Sequence, residues 1–472
     1  MPLLLWLTAV ALPPLVVGAL GAAGLETERL RLAGLVGAAV MLAACAGLLA
    51  AAGGAWTLPW PLPLPGVFGA AALRLNTLSA ALLPLPAGLW LLTLAVTPHA
   101  RLDRAGIPRT ALATLFTTAA FLTESPALLL ACWAASAALF LAGFTAPEQR
   151  RTWRVAALYQ GASTLALALG IGLAGLEGSK QIGLAFITLA VLIRKGIFPF
   201  HAWIPQSFDR GRIGPTLLYS APQLGAYVGV VLVLPEASAG LLRIAVGLAL
   251  VTAVYGAALA LVQADARRAC GYLFVSQSAL VLAGLDSGSE NALAGSLILW
   301  LSSAVAFTGM ARTVLVLEAR RGRLDLRRHH GGYEQMPLLA TSFLVLGLAC
   351  TGFPGTLGFI GEEMLLEGAV AGFPVLGFSI VVTSALTGLA VLRMYFSLFT
   401  GAKVSAPELR LLPREARVFA AVAAALVLGG LAGQPLVANR LKASQEMLEA
   451  RSAMGDGHPG RPGVGGAALE VD

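Results

Sequence analysis

Charge is scarce in this chain. Asp, Glu, Lys and Arg make up 12% of its 472 residues, about half the share of a soluble domain. That scarcity argues against a large soluble enzyme. Cysteine is nearly as informative. The four present, Cys45, Cys132, Cys270 and Cys350, lie far apart in apolar stretches with no C-x-x-C. Neither a disulfide framework nor a cysteine metal site has support. Phosphate-cradling glycine loops, a G-x-S-x-G elbow and metal-spaced His/Cys clusters are missing too. The adjacent His329 and His330 sit in an arginine-rich loop and read as a solvated face. No cofactor, no metal and no catalysis by this chain alone are expected.

Apolar residues are abundant, at 57%. The 54 Gly and 26 Pro are spread through apolar runs, a membrane habit. A membrane helix needs about 20 mostly apolar residues. Fifteen runs qualify, at 3–23, 33–53, 77–97, 109–123, 126–146, 154–176, 182–200, 214–235, 241–263, 271–286, 291–317, 337–354, 356–372, 374–400 and 416–437. The runs 337–354 and 356–372 are parted only by Gly352-Phe353-Pro354-Gly355 and read as one long broken helix. The first run lacks the basic start of a signal peptide and reads as a membrane helix. The expectation is an all-α polytopic membrane protein of about fourteen transmembrane helices. From about Ala438 a short amphipathic segment and then a disordered Gly/Pro-rich end are expected.

Charge placement tests the helix count. Lys and Arg favour cytoplasmic loops. With fourteen helices, 21 of the 32 Lys and Arg fall in loops of one side, and three (Arg74, Lys180, Arg243) in loops of the other. The basic side is then cytoplasmic, and both termini face outward from a bacterial cytoplasmic membrane. The net charge of +8 reads as topology, not as nucleic-acid binding. The basic loops suit anionic lipid or an acidic partner equally well.

Two helices are interrupted. Helix seven carries Lys195-Gly196-Ile197-Phe198-Pro199-Phe200-His201, and helix twelve carries Gly352-Phe353-Pro354-Gly355-Thr356-Leu357-Gly358. Five helices separate them, so the two point in opposite directions. Paired breaks in opposed halves point to inverted repeats with a pathway near the membrane midplane. Irregular backbone at that depth is tolerated only where protein or water covers it. Pro199, Gly352, Pro354 and Gly355 mark the breaks.

Charges inside apolar runs usually mark an ion or proton path. Arg194 and Lys195 precede the first break, and Glu362 and Glu363 follow the second. Burial raises a carboxylate pKa and lowers that of lysine, so both can trade protons near neutrality. Arginine stays charged, so Arg194 can gate a path but not carry the proton. Arg312 and Arg393 read as interhelical pairs or snorkelling side chains. Glu124 reads as interfacial.

These residues resemble a family. RKGIFPFHAWIP (Arg194 to Pro205) is similar to the K-x-x-x-F-P-x-H-x-W-L-P signature of antiporter-like membrane subunits. Such subunits occur in respiratory complex I (NADH:quinone oxidoreductase), Mrp-type cation/proton antiporters, related hydrogenases and inorganic-carbon pumps. Gln263 to Arg268 with Gly271-Tyr272, and GFPGTLGFIGEE (Gly352 to Glu363), resemble two further family stretches. The resemblance runs from about residue 110 to 401. It implies two inverted five-helix repeats with broken helices seven and twelve. The chain then divides into 1–108 (helices one to three), 109–236 (first repeat), 237–401 (second repeat), 402–437 (last helix) and 438–472 (flexible tail). It also implies proton or cation translocation within a multi-subunit complex of membrane and peripheral partners.

The departures are specific. Where the family places a helix-five glutamate, Trp133 is followed by Ala134, and no acid occurs between Glu124 and Glu148. By the resemblance, the helix-seven lysine falls on Arg194 with Lys195 beside it. The helix-eight lysine falls near Gln223, the following histidine on Gln277, and the helix-eleven pair near Ser303 and Phe307. The expected path is therefore Lys195, Arg194, Glu362, Glu363, His201, Gln223 and Gln277. The expected role is the translocating subunit of a complex-I-like oxidoreductase. Two alternatives stay open: the membrane half of a proton-driven inorganic-carbon pump, and a non-conducting scaffold.

Overall fold

The computed structural model describes residues 2–52, 56–59, 72–98, 102–372, 374–401 and 411–455. The chain is a nearly all-helical, multi-pass membrane protein. Helices α1 (Pro2–Ala22) and α2 (Thr27–Ala52) pack as a hairpin. They are followed by α3 (Thr77–Leu82), α4 (Pro84–Val96), α5 (Gly106–Phe121), α6 (Pro126–Leu141) and α7 (Arg150–Ala174). Then come α8 (Lys180–Lys195), α9 (Trp203–Arg210), α10 (Ile213–Ser220) and α11 (Leu224–Val228), with a π-turn at Gly229–Val233. The second half holds α12 (Ala239–Val262), α13 (Ala266–Leu285), α14 (Glu290–Arg321), α15 (Pro337–Ala349), α16 (Leu357–Gly372) and α17 (Pro374–Phe399). It ends with α18 (Pro413–Leu431) and α19 (Gln434–Gly455).

Among the described residues, nine helices are long and apolar enough to cross a membrane, and up to eleven if each bent pair is one span. Helices α5 and α6 have 16 residues and α15 has 13, short for a span of about 20. The longest, α14, has 32 residues and extends about 48 Å. It runs through the centre of the bundle beside α13, and both are buried almost all round. By contrast α1, α7, α12 and α17 present Leu12, Leu158, Ile244 and Phe378 outward, as lipid-facing helices do. Small residues let α14 and α16 touch. A Cβ on Gly295 would meet the Leu365 amide nitrogen at 2.4 Å, and one on Gly361 would meet that of Leu299 at 2.7 Å. Close backbone approach of this kind supplies the dispersion contacts that hold membrane helices together.

Two features differ from the sequence reading. First, the fold is not purely helical. Strands β1 (Trp56–Pro59) and β2 (Ala72–Leu75) pair antiparallel with Trp56 opposite Leu75. The Arg74 amide also donates to Leu122 O at 2.6 Å, fixing the hairpin to the end of α5. Its strands are too short for an alternating pattern to stand out. Second, the tail expected to be flexible from residue 438 continues as helix α19 through residue 455. It leaves α18 at a 72° bend. Arg440, fully buried, donates to the Thr77 and Leu78 carbonyls, and Ser444 Oγ donates to Glu290 O at 2.7 Å. Bonds to neighbouring backbone, not an apolar stripe, hold this helix. The expected disorder at 456–472 lies outside the described residues.

At the opposite, arginine-rich ends, Asp265 caps α13, accepting from the Arg267 and Arg268 amides. Glu318 of α14 pairs with Arg267 of α13, whose Nε donates at 2.6 Å, and both side chains are buried. Removing one partner of a buried pair strands the other charge. Glu318→Ala is expected to cost about 3–5 kcal/mol, whereas the double change Arg267→Met/Glu318→Leu is expected to be near neutral. Thermal unfolding of the purified protein in detergent checks both.

Candidate functional site

The first break is a helix end inside the protein. Gly196 closes α8 in the left-handed conformation, φ 68°, which costs glycine little. A Cβ there would also meet Ile204 Cδ1 at 2.4 Å. The carbonyls freed in the last turn of α8 are recovered locally. Ile197 N donates to Leu192 O at 2.9 Å, and Trp203 Nε1 donates to Ile193 O at 3.0 Å. This satisfies the rule that buried backbone groups are paired. The Phe198–Pro199 peptide is cis.

Arg194 and Lys195 leave this helix end in different directions. Arg194 lies between two aromatic faces, 4.3 Å from the Trp133 ring centre and 4.4 Å from that of Tyr219. Its Nη1 donates to Trp133 O at 3.2 Å and its Nη2 to Ser136 Oγ at 2.8 Å. The ring quadrupoles thus take the place of a carboxylate. Phe140 stacks on Tyr219 at 4.3 Å, and Tyr219 donates to Gln160 Oε1 at 2.5 Å. Beside Ala134, where the resemblance placed an acid, the Trp133 ring and carbonyl thus hold the Arg194 cation.

Lys195 is 3% exposed, and its Nζ donates to Gln223 Oε1 at 2.5 Å. Its stem passes over Gly225, where a Cβ would meet Lys195 Cγ at 2.9 Å. Gln223 sits between α10 and α11 at φ 53°, a strained conformation for a non-glycine residue. The preceding Pro222 O accepts from Trp300 Nε1 at 3.0 Å, anchoring this second interruption to α14.

A carboxylate that sequence reasoning missed belongs here. Asp286, in the turn between α13 and α14, is electrostatically coupled to Lys195 and to Arg451 of α19. Burial pushes its carboxyl up to about 7, with Lys195 and Arg451 pulling the other way. It lines a cavity of about 420 Å³ together with Arg243, Ser287 and Arg451. The available signal was an acid directly after an all-apolar run.

The second break spans Cys350 to Thr356. Gly352 (φ 64°) and Gly355 (φ 86°) both adopt left-handed backbone. Phe353 N donates to Leu348 O at 3.1 Å. Glu362, half-buried, lies directly over Gly352, where any side chain would overlap its carboxylate. Ser384 Oγ of α17 donates to Glu362 Oε1. Glu363 points away and is exposed.

Of the other expected residues, Gln277 is buried in α13 with its Oε1 unpartnered. His201 is half-buried among Phe198, Tyr255 and Tyr272. No hydrogen bond or ion pair joins Lys195 to Glu362 among the described residues. Glu124 accepts from Arg74 at 2.7 Å and Asn76 Nδ2 at 2.8 Å. Arg393 donates to the Leu261 and Gln263 carbonyls, an interhelical tie. Arg312 has no carboxylate partner among the described residues; its Nη1 donates to Thr97 Oγ1 at 3.1 Å. No group of three metal-ligating side chains occurs among the described residues.

Comparison with known proteins agrees with this architecture. The family model described as NADH:quinone oxidoreductase/Mrp antiporter, TM matches residues 158–387. NADH-quinone oxidoreductase subunit N of Rhodococcus opacus is 30% identical over 257 residues, covering 52% of this chain and 47% of that protein. Subunit M of Pseudomonas aeruginosa is 28% identical over 258 residues, covering 53% and 50%. The match spans about half the length of these curated relatives. In fold, a chain of respiratory complex I from Thermus thermophilus superposes with TM-score 0.85 at 24% identity, covering 94% of this chain and 99% of that one. A chain of the Mrp complex from a Dietzia species gives 0.84 at 18%, covering 95% and 98%. Residues 158–387 are thus similar to the antiporter-like transmembrane family of NADH:quinone oxidoreductases and Mrp antiporters.

Proposed function

We propose that this chain is the proton- or cation-translocating membrane subunit of a complex-I-like assembly in the bacterial cytoplasmic membrane. One observation carries the reading. At each helix break a titratable side chain turns into the bundle: Lys195 onto Gln223, and Glu362 onto Gly352 and Ser384. In α13, α14 and α17, Gln277 Oε1, Ser296 Oγ, Ser302 Oγ and Thr387 Oγ1 are buried without a partner among the described residues, as groups that bind water are. Asp286 gives Lys195 an acid to exchange with on the side away from the arginine-rich loops.

The reading takes the fold as fourteen spans. It counts α3–α4, α8–α9, α10 with the π-turn, and α15–α16 as one span each. It keeps residues 109–236 and 237–401 as inverted five-helix repeats and the arginine-rich side as cytoplasmic. The caged Arg194 favours a second reading, a scaffold that conducts nothing, because the first repeat has lost its titrating pair at that position.

Affinity purification of the tagged protein from native membranes, with co-purifying subunits identified by mass spectrometry, tests the first reading. Quinone-oxidoreductase or antiporter subunits are the expected company. A lone soluble zinc protein as partner would replace this reading with the inorganic-carbon pump.

A further inference from the structure

The arginine-rich side holds a cavity of about 430 Å³ between α4, α5, α10 and α14, lined by Arg210, Arg212, Arg267, Arg312 and Asp103. Three of the four cations already have a carboxylate. Arg212 shares Asp103 with Arg109, Arg267 is paired with Glu318, and Arg210 lies 4.0 Å from Asp209. Among the described residues Arg312 has none: it is 1% exposed, its Nη1 donates only to Thr97 Oγ1 at 3.1 Å, and its Nε and Nη2 have no partner. A guanidinium stays protonated, and burying one without a counter-charge is heavily unfavourable.

The backbone around it is arranged for an anion. Arg312 lies against Gly214, where a Cβ would meet Nη2 at 2.7 Å. Gly214 belongs to the first turn of α10, whose first intrahelical bond, Thr216 N to Arg212 O, leaves the Ile213 and Gly214 amides ahead of it. Helix N-termini favour anions through these amides and the helix dipole. Leu94, Ile107 and Leu315 form an apolar part of the same wall, which suits an esterified phosphate as well as a free one.

We propose that this cavity binds a phosphate-type oxyanion, free phosphate or the phosphodiester headgroup of an anionic lipid, as the missing counter-ion of Arg312. Arg312 Nη2 and the first amides of α10 would donate to it, and Arg210 and Arg212 would close the rim. Basic pockets between membrane helices on the cytoplasmic side are suited to such headgroups. The site is separate from the helix breaks and does not depend on the transport reading.

The test uses the full chain purified in detergent and stripped of lipid. One arm measures radiolabelled inorganic phosphate binding, with chloride added to hold ionic strength constant. The other adds phosphatidylglycerol or cardiolipin and counts retained lipids by native mass spectrometry. Wild type is expected to bind in one arm, which names the source. Arg312→Gln is expected to bind about 10- to 100-fold more weakly, the loss of one charge-assisted hydrogen bond, and Arg312→Lys to fall between. Arg151→Gln, exposed on the same side, is expected to change nothing. If Arg312→Gln does not fold, the exposed rim variant Arg210→Gln serves, with a several-fold loss expected. Equal binding by wild type and the folded variant means an adventitious ion only and overturns the proposal, as does no binding in either arm.

Discussion

Glu362→Gln is expected to reduce coupled transport at least about 100-fold, the scale of losing proton transfer at a positioned group, with folded protein recovered in normal yield. The structure explains why the two effects separate. Glutamine has nearly the same shape as glutamic acid, so it fits over Gly352, where there is no room for a larger group. Its carbonyl oxygen still accepts from Ser384 Oγ, as the carboxylate does now. Only the ability to take up and release a proton is lost. Glu363→Gln, on an exposed neighbour, is expected to leave transport unchanged. Glu362→Ala behaves differently: it leaves Ser384 without its acceptor and opens a cavity, so stability falls too. Dye-reported acidification of inverted membrane vesicles containing the native assembly measures transport, and thermal unfolding measures stability. Undiminished acidification by Glu362→Gln would take Glu362 off the path.

Much of this was legible in the residues. Helix breaks announce themselves because glycine and proline have a defined backbone meaning, and both fell where Gly196 and Gly352 required them. Titratable groups announce themselves because charge is rare in apolar runs, which is how Lys195 and Glu362 were found. What stayed hidden depends on side-chain direction and on distant partners. Adjacent positions on a helix point about 100° apart, so Arg194 enters an aromatic cage while Lys195 meets Gln223. Nothing local tells which of the two faces the polar interior. Glu363, likewise, was expected on the path beside Glu362, and its side chain is exposed. Asp286 was not singled out in the sequence; its setting comes from Lys195, ninety-one positions earlier, and Arg451 of α19. Helix α19 was legible only as a short amphipathic segment in a flexible tail, because its anchors, Arg440 and Ser444, bond to carbonyls of α3 and α14, and hydrophobic periodicity is blind to such contacts. Arg312 was read as an interhelical pair or a snorkelling side chain; it is instead buried with no carboxylate beside it among the described residues.

Lys195→Ala is expected to be as damaging as Glu362→Gln, and here the two arginine-lysine neighbours give the sharper contrast. Lys195 is the titratable cation that meets Gln223 at the first break. Removing it leaves Gln223 Oε1 without its donor and takes from Asp286 one of its two positive neighbours, Arg451 remaining. Arg194→Lys, by contrast, keeps a cation between Trp133 and Tyr219 and is expected to retain most transport, losing mainly the bond to Ser136. The acid on the far side of Lys195 adds a pH signature. The Asp286 carboxyl, pushed up to about 7 by burial, holds its proton below that pH and releases it above. If protons leave through Asp286, transport in wild-type vesicles falls as the pH on the Asp286 side drops below about 7, because release becomes unfavourable. Asp286→Asn removes both the transport and that pH limb, and Asp286→Glu restores part of each. Loss of transport in Lys195→Ala with an unchanged Asp286→Asn would keep Lys195 on the path and route its proton elsewhere. Normal transport in both, together with a silent Glu362→Gln, would leave the caged Arg194 as the truer guide and make this chain a scaffold.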